Sequence, residues 1–387
     1  MRLAACLLFA LACLGAAPLE TARADSPIAA ADATLANGTI DRLPLAPHTL
    51  TLLEPAGTSD PKDLPPLPSW EPPQPGTDVK LGGLSGFDAR PYWLRVELRN
   101  DSDQLLQRVL VLHMVLTSDL RVYGEVPGSA RREFHTGATL PPETRALPSR
   151  HFAYPVRLAP RSTQVWWLRV ESRKAMTLPL YLWEPAAFDR AEYEDLLLYG
   201  VTFGAVAGLL LYNIILLATV RRAAYLWYVV YGFFALGAAV AGSGYLLLAP
   251  GGPLAPVSDY FDGLTLLGSG AALVQFLRML FDIDNTLPGH RWPMRLVLCF
   301  WLIAAALYPW DVALVSGLIT VPSALVLGYL YWVVVTAVRR GLPGAPQMLA
   351  GLTALFVGAG MLLLHFGGHV EWSRLTTLSQ PLGTALE

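Results

Sequence analysis

From Ala191 to Arg222 the chain reads AEYEDLLLYGVTFGAVAGLLLYNIILLATVRR. Leu196 to Val220 contains no acidic or basic residue, is long enough for the ~20 residues that a bilayer core requires, and ends on the pair Arg221-Arg222. Upstream, from Asp25 to about Arg190, the chain shows period-two patterning, prolines and charges, whereas downstream it is a series of long apolar runs. A boundary near residue 190 therefore separates a water-facing half from a membrane half.

The composition agrees with that division. Of 387 residues, 53% are apolar and only 15% charged, with a mean hydropathy of +0.42 that soluble domains rarely reach. A net charge of -2 gives no basic footprint for nucleic acid, and the partner implied is instead the lipid bilayer. Candidate spans run over Leu196–Val220, Tyr225–Ala249, Asp259–Phe281, Leu296–Tyr308, Val312–Val338 and Gln347–Gly367. The fourth is short for a bilayer and borrows Arg295 and Trp310 as interfacial ends. Arg221 and Arg222, then Arg291 and Arg295, then Arg339 and Arg340 fall in alternate loops, while the other loops carry Arg374 as their basic residue besides histidine. Positive loops stay in the cytoplasm, so residues 25–190 are expected outside it.

The amino terminus gives the same orientation. Arg2, the apolar run Leu3 to Ala17 and the small residues of Ala22-Arg23-Ala24 form a signal peptide over residues 1–24, and the mature chain is expected from Asp25. Cys13 offers an alternative lipoprotein reading, against which stand the short preceding run and the wrong residue three places earlier. Cys6 and Cys13 would leave with the signal peptide and Cys299 sits in an apolar run, so no disulfide is available to the outer half.

In that half, Tyr92, Leu94, Val96 and Leu98 point one way and Trp93, Arg95, Glu97 and Arg99 the other. Asn100-Asp101-Ser102-Asp103 makes a turn. Arg108 to Leu116 is apolar on both faces apart from His113, as in a central strand, and Phe152–Leu158 and Gln164–Glu171 alternate again. Short strands between turns predict an antiparallel β-sandwich over residues 25–190, with Pro61 to Pro75 as an extended loop inside it. Residues 191–387 are expected to form a polytopic α-helical transmembrane bundle.

Trp-Leu-Arg-Val-Glu occurs at Trp93–Glu97 and again at Trp167–Glu171. Each copy sets Trp, Arg and Glu on one strand face, and a Trp plane beside a guanidinium suits a sugar ring or an anion. Trp93, Arg95, Trp167 and Arg169 are thus candidate ligand-binding residues. The plainer reading, which we favour, is that Trp covers the sheet while Arg and Glu pair across strands. Arg145, Arg150 and His151 form a second candidate, around a loop that begins at Gly137 and contains Pro141 and Pro142, with a solvated basic loop as its plainer reading. His365 and His369 have the i, i+4 spacing of metal ligands, yet Gly367 and Gly368 interrupt them and further ligands are missing, so no metal is expected. No HExxH, phosphate loop or Gly-x-Ser-x-Gly nucleophile occurs, and neither catalysis nor a cofactor is expected of these residues. Within the bundle, Asn213 suggests a helix-to-helix hydrogen bond, Arg278 a side chain reaching the cytoplasmic edge, and Asp262 a hydrated outer position, with Gln275 also at membrane depth. Gly204, Gly208 and Gly237 permit close helix approach.

Taken in order, these residues resemble the bacterial seven-transmembrane receptors with diverse intracellular signalling modules. The resemblance in the outer half rests on Tyr92-Trp93-Leu94-Arg95 with Asn100, Thr136-Gly137-Ala138 with Leu140-Pro141, Arg150-His151-Phe152 with Pro155, Leu168-Arg169-Val170, and Leu178-Pro179-Leu180 with Trp183. In the membrane half it rests on Tyr199-Gly200, Leu211-Tyr212-Asn213, Tyr225-Leu226-Trp227-Tyr228 and the closing Leu382-Gly383-Thr384-Ala385-Leu386-Glu387. It implies a jelly-roll-like sandwich of the family's second extracellular type, akin to carbohydrate-binding modules, that binds a ligand such as a carbohydrate. In the family the closing stretch opens a seventh helix that leads to a cytoplasmic output such as a diguanylate cyclase or histidine kinase. The expectation is that this chain holds the sensory and transmembrane portion, from a longer gene or working through a cytoplasmic signalling partner. A transporter, an accessory membrane protein with a periplasmic binding domain and an enzyme within the bundle are the rival classes. The spans show neither the inverted repeat of the first nor the convergent acids and bases of the last.

Overall fold

The structure is a computed structural model that describes residues 32–34, 41–56, 58, 60–72, 78–80, 90–125, 130–173 and 177–366. The expected signal peptide, Pro73 and Pro75, His369 and the closing 382–387 lie outside the described residues.

The alternation in the outer half becomes two facing sheets. The first contains β1 (Asp32–Thr34), β3 (Thr49–Leu53), β5 (Tyr92–Asn100), β7 (Asp119–Glu125), β8 (Arg132–Thr136) and β10 (Ser162–Glu171), in the order β8-β7-β10-β5, with β1 and β3 sharing the far edge of β5. The second contains β2 (Arg42–Pro44), β4 (Asp78–Lys80), β6 (Leu106–Leu112), β9 (Phe152–Leu158) and β11 (Thr177–Trp183), in the order β9-β6-β11, with β2 and β4 sharing the far edge of β11. Every pairing is antiparallel except that of β1 with β5. β6 is central, as its two apolar faces predict, and Pro155 sits on the edge strand β9, where a missing N–H costs no ladder bond.

Tyr92, Leu94, Val96 and Leu98 face inward with Leu120, Val122, Trp166, Leu168 and Val170 of their own sheet, against Leu110, Leu112, Phe152, Tyr154, Val156, Leu158, Leu178, Leu180 and Leu182 of the other. Each large apolar side chain buried in this way contributes roughly 1.5–3 kcal/mol, and this core replaces the disulfide that the domain lacks. Asn100 ties the two sheets together at one end of the sandwich. Its side-chain NH2 donates to the carbonyls of Gln104, Leu158 and Ala159 at 2.8, 3.1 and 2.9 Å, and its carbonyl accepts from Ser102 N at 3.0 Å.

Six long helices follow: α1 (Pro185–Val220), α2 (Ala223–Ser243), α3 (Ser258–Leu280), α4 (Arg291–Leu307), α5 (Val312–Arg339) and α6 (Ala345–Phe366). They match the six apolar runs. Among the described residues, four stretches are long and apolar enough to cross a membrane: Pro185–Val220, Ala223–Ser243, Ala255–Leu280 and Val321–Arg339. Helix α4 is short, as its sequence predicts.

Helix α1 begins well before the apolar run that announced it. Trp183 closes the last strand, the Glu184 carboxylate accepts from Ala187 N at 2.7 Å, and Pro185 occupies the first turn, where its missing N–H costs nothing. Polar residues from Asp189 to Asp195 hide this turn from a hydropathy reading. It packs Phe188 against Val109, Val111, Ala153, Tyr181 and Trp183 on the outer face of the second sheet. The sandwich thus continues into the first span without a linker.

Two of the three arginine-bearing connections, α3–α4 and the one that follows α5, meet at the opposite end. Asp284 lies 3.2, 3.6 and 3.7 Å from Arg278, Arg291 and Arg295, and Arg340 donates to Thr286 O at 2.6 Å. Arg278 also donates to Gln275 Oε1 at 3.0 Å, so it reaches this end as the sequence suggested. Asn213 differs from expectation: it donates to Leu209 O of its own helix, because an amide at that position meets the carbonyl one turn back before it meets a neighbour. Gly237 lets α3 approach, with Thr265 Cγ2 3.1 Å from where a Cβ would stand, whereas nothing described lies within 4 Å of such a position at Gly204 or Gly208.

Candidate functional site at the seam of sandwich and bundle

The two Trp-x-Arg-x-Glu copies pair directly, Trp167 opposite Arg95 and Arg169 opposite Trp93, on the outer face of the first sheet. Residues 54–56 and 60–72 lie over this face as a strap of extended chain and two short 3-10 turns. Arg169 donates to both oxygens of Glu54, at 2.5 and 2.9 Å, and Trp93 Nε1 donates to the same carboxylate at 3.0 Å. Arg131 grips Asp60 in the same two-bond manner at 2.8 and 2.7 Å. Trp93 is 0% exposed and stacks on Tyr123, and Trp70 of the strap meets Trp167 edge-on with ring centroids 5.5 Å apart. Arg95 donates to Glu97 at 2.8 Å and holds its guanidinium over Trp167. The four residues are therefore brought together, and their polar groups are engaged by the chain's own carboxylates. Trp167 and Arg95 keep part of their surface in water; Trp93 keeps none.

Arg145, Arg150 and His151 are also brought together, but facing inward. Arg145 donates to Ser149 O and Arg150 O at 2.8 and 2.9 Å and lies over the Phe152 ring, and burial lowers its pKa to about 10. Arg150 reaches across to the bundle. It donates to Asp195 Oδ2 of α1 at 2.6 Å and to Ser243 O of α2 at 3.2 Å, and its guanidinium stands over the rings of Tyr199 and Tyr245. Burial opposes the charge of Arg150, but Tyr199, Asp195 and Tyr245 outweigh it and raise the pKa above its ordinary value. His151 lies with Nε2 3.9 Å from Glu192 Oε1 and its ring 4.2 Å from that of His113. His113 Nε2 accepts the indole N–H of Trp183 at 3.1 Å.

Further bonds complete the seam. Ser118 donates to Asp259 Oδ1 at 2.8 Å, Ser258 to Ala138 O at 2.9 Å, Arg173 to the Tyr260 hydroxyl at 3.3 Å, and Gly251 N to Glu143 Oε1 at 2.9 Å. Gly244, with φ of +81°, lies so near Val115 that a Cβ would stand 2.8 Å from the valine Cβ. Only glycine satisfies both the turn and the approach. The sandwich therefore presses on α1 and on the α2–α3 connection together.

Sequence reasoning found the basic half of this site and missed its acidic half. Glu192, Asp195 and Tyr199 recur at helical spacing and so share one face of α1, a signal that the boundary set near residue 190 obscured. Ser118 and Asp259, 141 positions apart, carry no local signal at all. Among the described residues, no group of three His, Cys, Asp or Glu side chains could hold a metal ion.

Two family models match the chain. One, described as 7TM diverse intracellular signalling, covers residues 195–387; the other, the 7TMR-DISM extracellular 2 domain, covers residues 69–184. No curated protein matches it significantly. The first turns of α1, which carry Glu192, fall between the two matched regions.

Proposed function

Since the chain belongs to the bacterial seven-transmembrane receptors with diverse intracellular signalling modules, a family of sensory membrane receptors with an extracellular domain, we propose that its sandwich senses a ligand in the periplasm and biases the bundle through the seam. The bundle lies in the inner membrane in this reading, with its arginine-bearing end in the cytoplasm. The observation that carries the proposal is the Arg150–Asp195 pair, buried between the two domains and bonded further to α2. A ligand shifts a receptor only by binding one of its states better than another, and a seam with few loose contacts passes such a preference on. We propose a carbohydrate as the ligand, supported by the half-buried Trp167 ring beside the Arg95 guanidinium on the outer face of the first sheet. Both matched domains are sensory rather than catalytic, so the cytoplasmic response belongs to a signalling module or partner.

The coupling is tested without knowing the ligand. The chain is fused after Glu387 to a diguanylate cyclase domain, and cyclic dinucleotide is measured in cells at equal protein level. Arg150→Met, which removes the bridge but keeps the length of the side chain, should change the output severalfold. Equal output from both forms would overturn the coupling.

A further inference from the structure

The seam holds two histidines in a setting that suits only their neutral form. We propose that His113 and His151 together form a proton-binding site, through which acidification of the medium outside the cytoplasm opens the contact between sandwich and bundle. This inference does not depend on the ligand of the sandwich or on any output module.

His113 follows the central strand β6, and its backbone N–H donates to Pro179 O at 2.9 Å, which fixes the point from which the ring projects into the seam. Its Nε2 accepts the Trp183 indole N–H, and an imidazolium has a hydrogen on both nitrogens. Protonation therefore cancels that bond and sets two N–H groups against each other. His151 faces it with a ring separation of 4.2 Å, and both rings are almost wholly shielded, at 9% and 2% exposure.

The surrounding charges add to the cost. Around the pair stand Arg42 of β2, Arg145 and Arg150 of the loop before β9, Tyr181 and Trp183 of β11, Glu192, Asp195 and Tyr199 of α1, and Tyr245 of the α2–α3 connection. Three guanidinium groups thus meet two carboxylates, one of which is already bonded to Arg150. Glu192 is left to face one imidazolium at most. Burial first, and then Arg150, push both histidines well below their ordinary pKa, with Arg42 adding to this at His113, and His113 and Arg145 at His151.

The direction of the response follows from linkage. A histidine released to water titrates near 6.5, whereas in the closed seam it stays neutral to a lower pH, so the open state binds more protons. The closed contact keeps its full strength above about pH 7 and loses it as pH falls below about 6.5. Each histidine that titrates raises the ratio of open to closed molecules by up to about tenfold per pH unit, roughly a hundredfold for the pair, and Glu192, whose pKa burial raises in the closed seam, offsets part of this by taking up its proton there. Because Val109, Val111 and Trp183 of the second sheet rest on the first turns of α1, opening separates the sandwich from the first span.

The test uses the full chain in lipid nanodiscs, with Cys6, Cys13 and Cys299 changed to Ser and spin labels at Leu105→Cys in the sandwich and Trp310→Cys at the same end of the bundle. Distance distributions are recorded from pH 8 to pH 5, and isotope-labelled histidine resonances report protonation in parallel. One distance is expected above pH 7, with a longer one growing below pH 6.5 as His113 and His151 take up protons. His113→Gln/His151→Gln, which keeps an acceptor for Trp183 but cannot titrate, should retain the pH 8 distance and lose the response, whereas Glu192→Gln should keep the response. The proposal is overturned if both histidines remain neutral to pH 5, if they protonate while the distance stays fixed, or if the doubly substituted protein responds like the unaltered one. Should that protein fail to fold, the first two outcomes still decide.

Discussion

Arg150 Nη2 donates to Asp195 Oδ2 at 2.6 Å across the junction of the two domains, from side chains that are 3% and 9% exposed. A buried pair of this kind adds little over apolar residues of the same shape, but removing one partner leaves the other charge in a dry site. Arg150→Met should therefore destabilise the full chain by about 3–5 kcal/mol. Arg150→Met with Asp195→Leu should recover most of that loss. Thermal unfolding in detergent compares the three forms, and a double variant no better than the single one would show that the cost lies elsewhere.

The strap over the first sheet gives a second expectation. Glu54 accepts from both Arg169 and Trp93, so Glu54→Ala leaves the buried Trp93 indole N–H without its acceptor, at on the order of 1–3 kcal/mol, and leaves Arg169 with Glu171 and Asp119 alone. Trypsin should then cut after Lys62 many times faster than in the unaltered protein. An unchanged cleavage rate would mean that the strap is held mainly by Trp70.

Trp93 and Trp167 should respond differently to truncation although they stand on one sheet face. Trp93→Ala empties a fully buried site and should cost about 3–5 kcal/mol. Trp167→Ala or Arg95→Ala should leave the thermal midpoint closer to that of the unaltered protein and lower the affinity for any oligosaccharide found by array screening. Affinity unaffected by either change would remove this sheet face from consideration as the ligand surface.

The strap also has an acid limit. Arg131, followed by the Lys62 backbone N–H, holds the Asp60 carboxyl well below the usual carboxylate range. A carboxylate whose pKa is depressed on folding stabilises the fold above its unfolded pKa of about 4 and ceases to do so as pH falls below it. The stability difference between the unaltered protein and Asp60→Asn should be constant from pH 7 to pH 5 and shrink toward pH 3. Because Asp60 is largely open to water, the difference should be small throughout. Denaturant titrations at those three values provide the measurement.

Orientation is tested from both ends of the bundle. Trp310, 82% exposed, sits at the end that bears the sandwich, and Arg222 at the other. A membrane-impermeant maleimide should label Trp310→Cys in intact cells and Arg222→Cys only after disruption. The reverse pattern would invert the proposed topology.

The elements that were legible from sequence are those whose periodicity matches their surroundings. The faces of β5 follow from the alternation in Tyr92–Arg99, and the six helices from the apolar runs, since a strand buried on one face and a helix in lipid each write their environment into the residues. The start of α1 was not legible, because a helix lying over a protein surface outside the bilayer carries charges on its free side. Arg150 was singled out as a loop cation, whereas its burial depends on Asp195, which comes 45 residues later. A contact of that kind has no signature within either segment.

Helix α1 runs from beneath the sandwich to the arginine-bearing end in 36 residues, or about 54 Å at 1.5 Å per residue. The hydrocarbon core takes up about 30 Å of that length, so the helix works as a lever whose short arm stands outside the bilayer under the sheet. Rocking the sandwich by one degree about its own end would carry the far end sideways by about 1 Å, the size of the helix displacements on which switching proteins rely. In the proposed coupling the sandwich need not deform to be heard at the other side of the membrane; it need only lean.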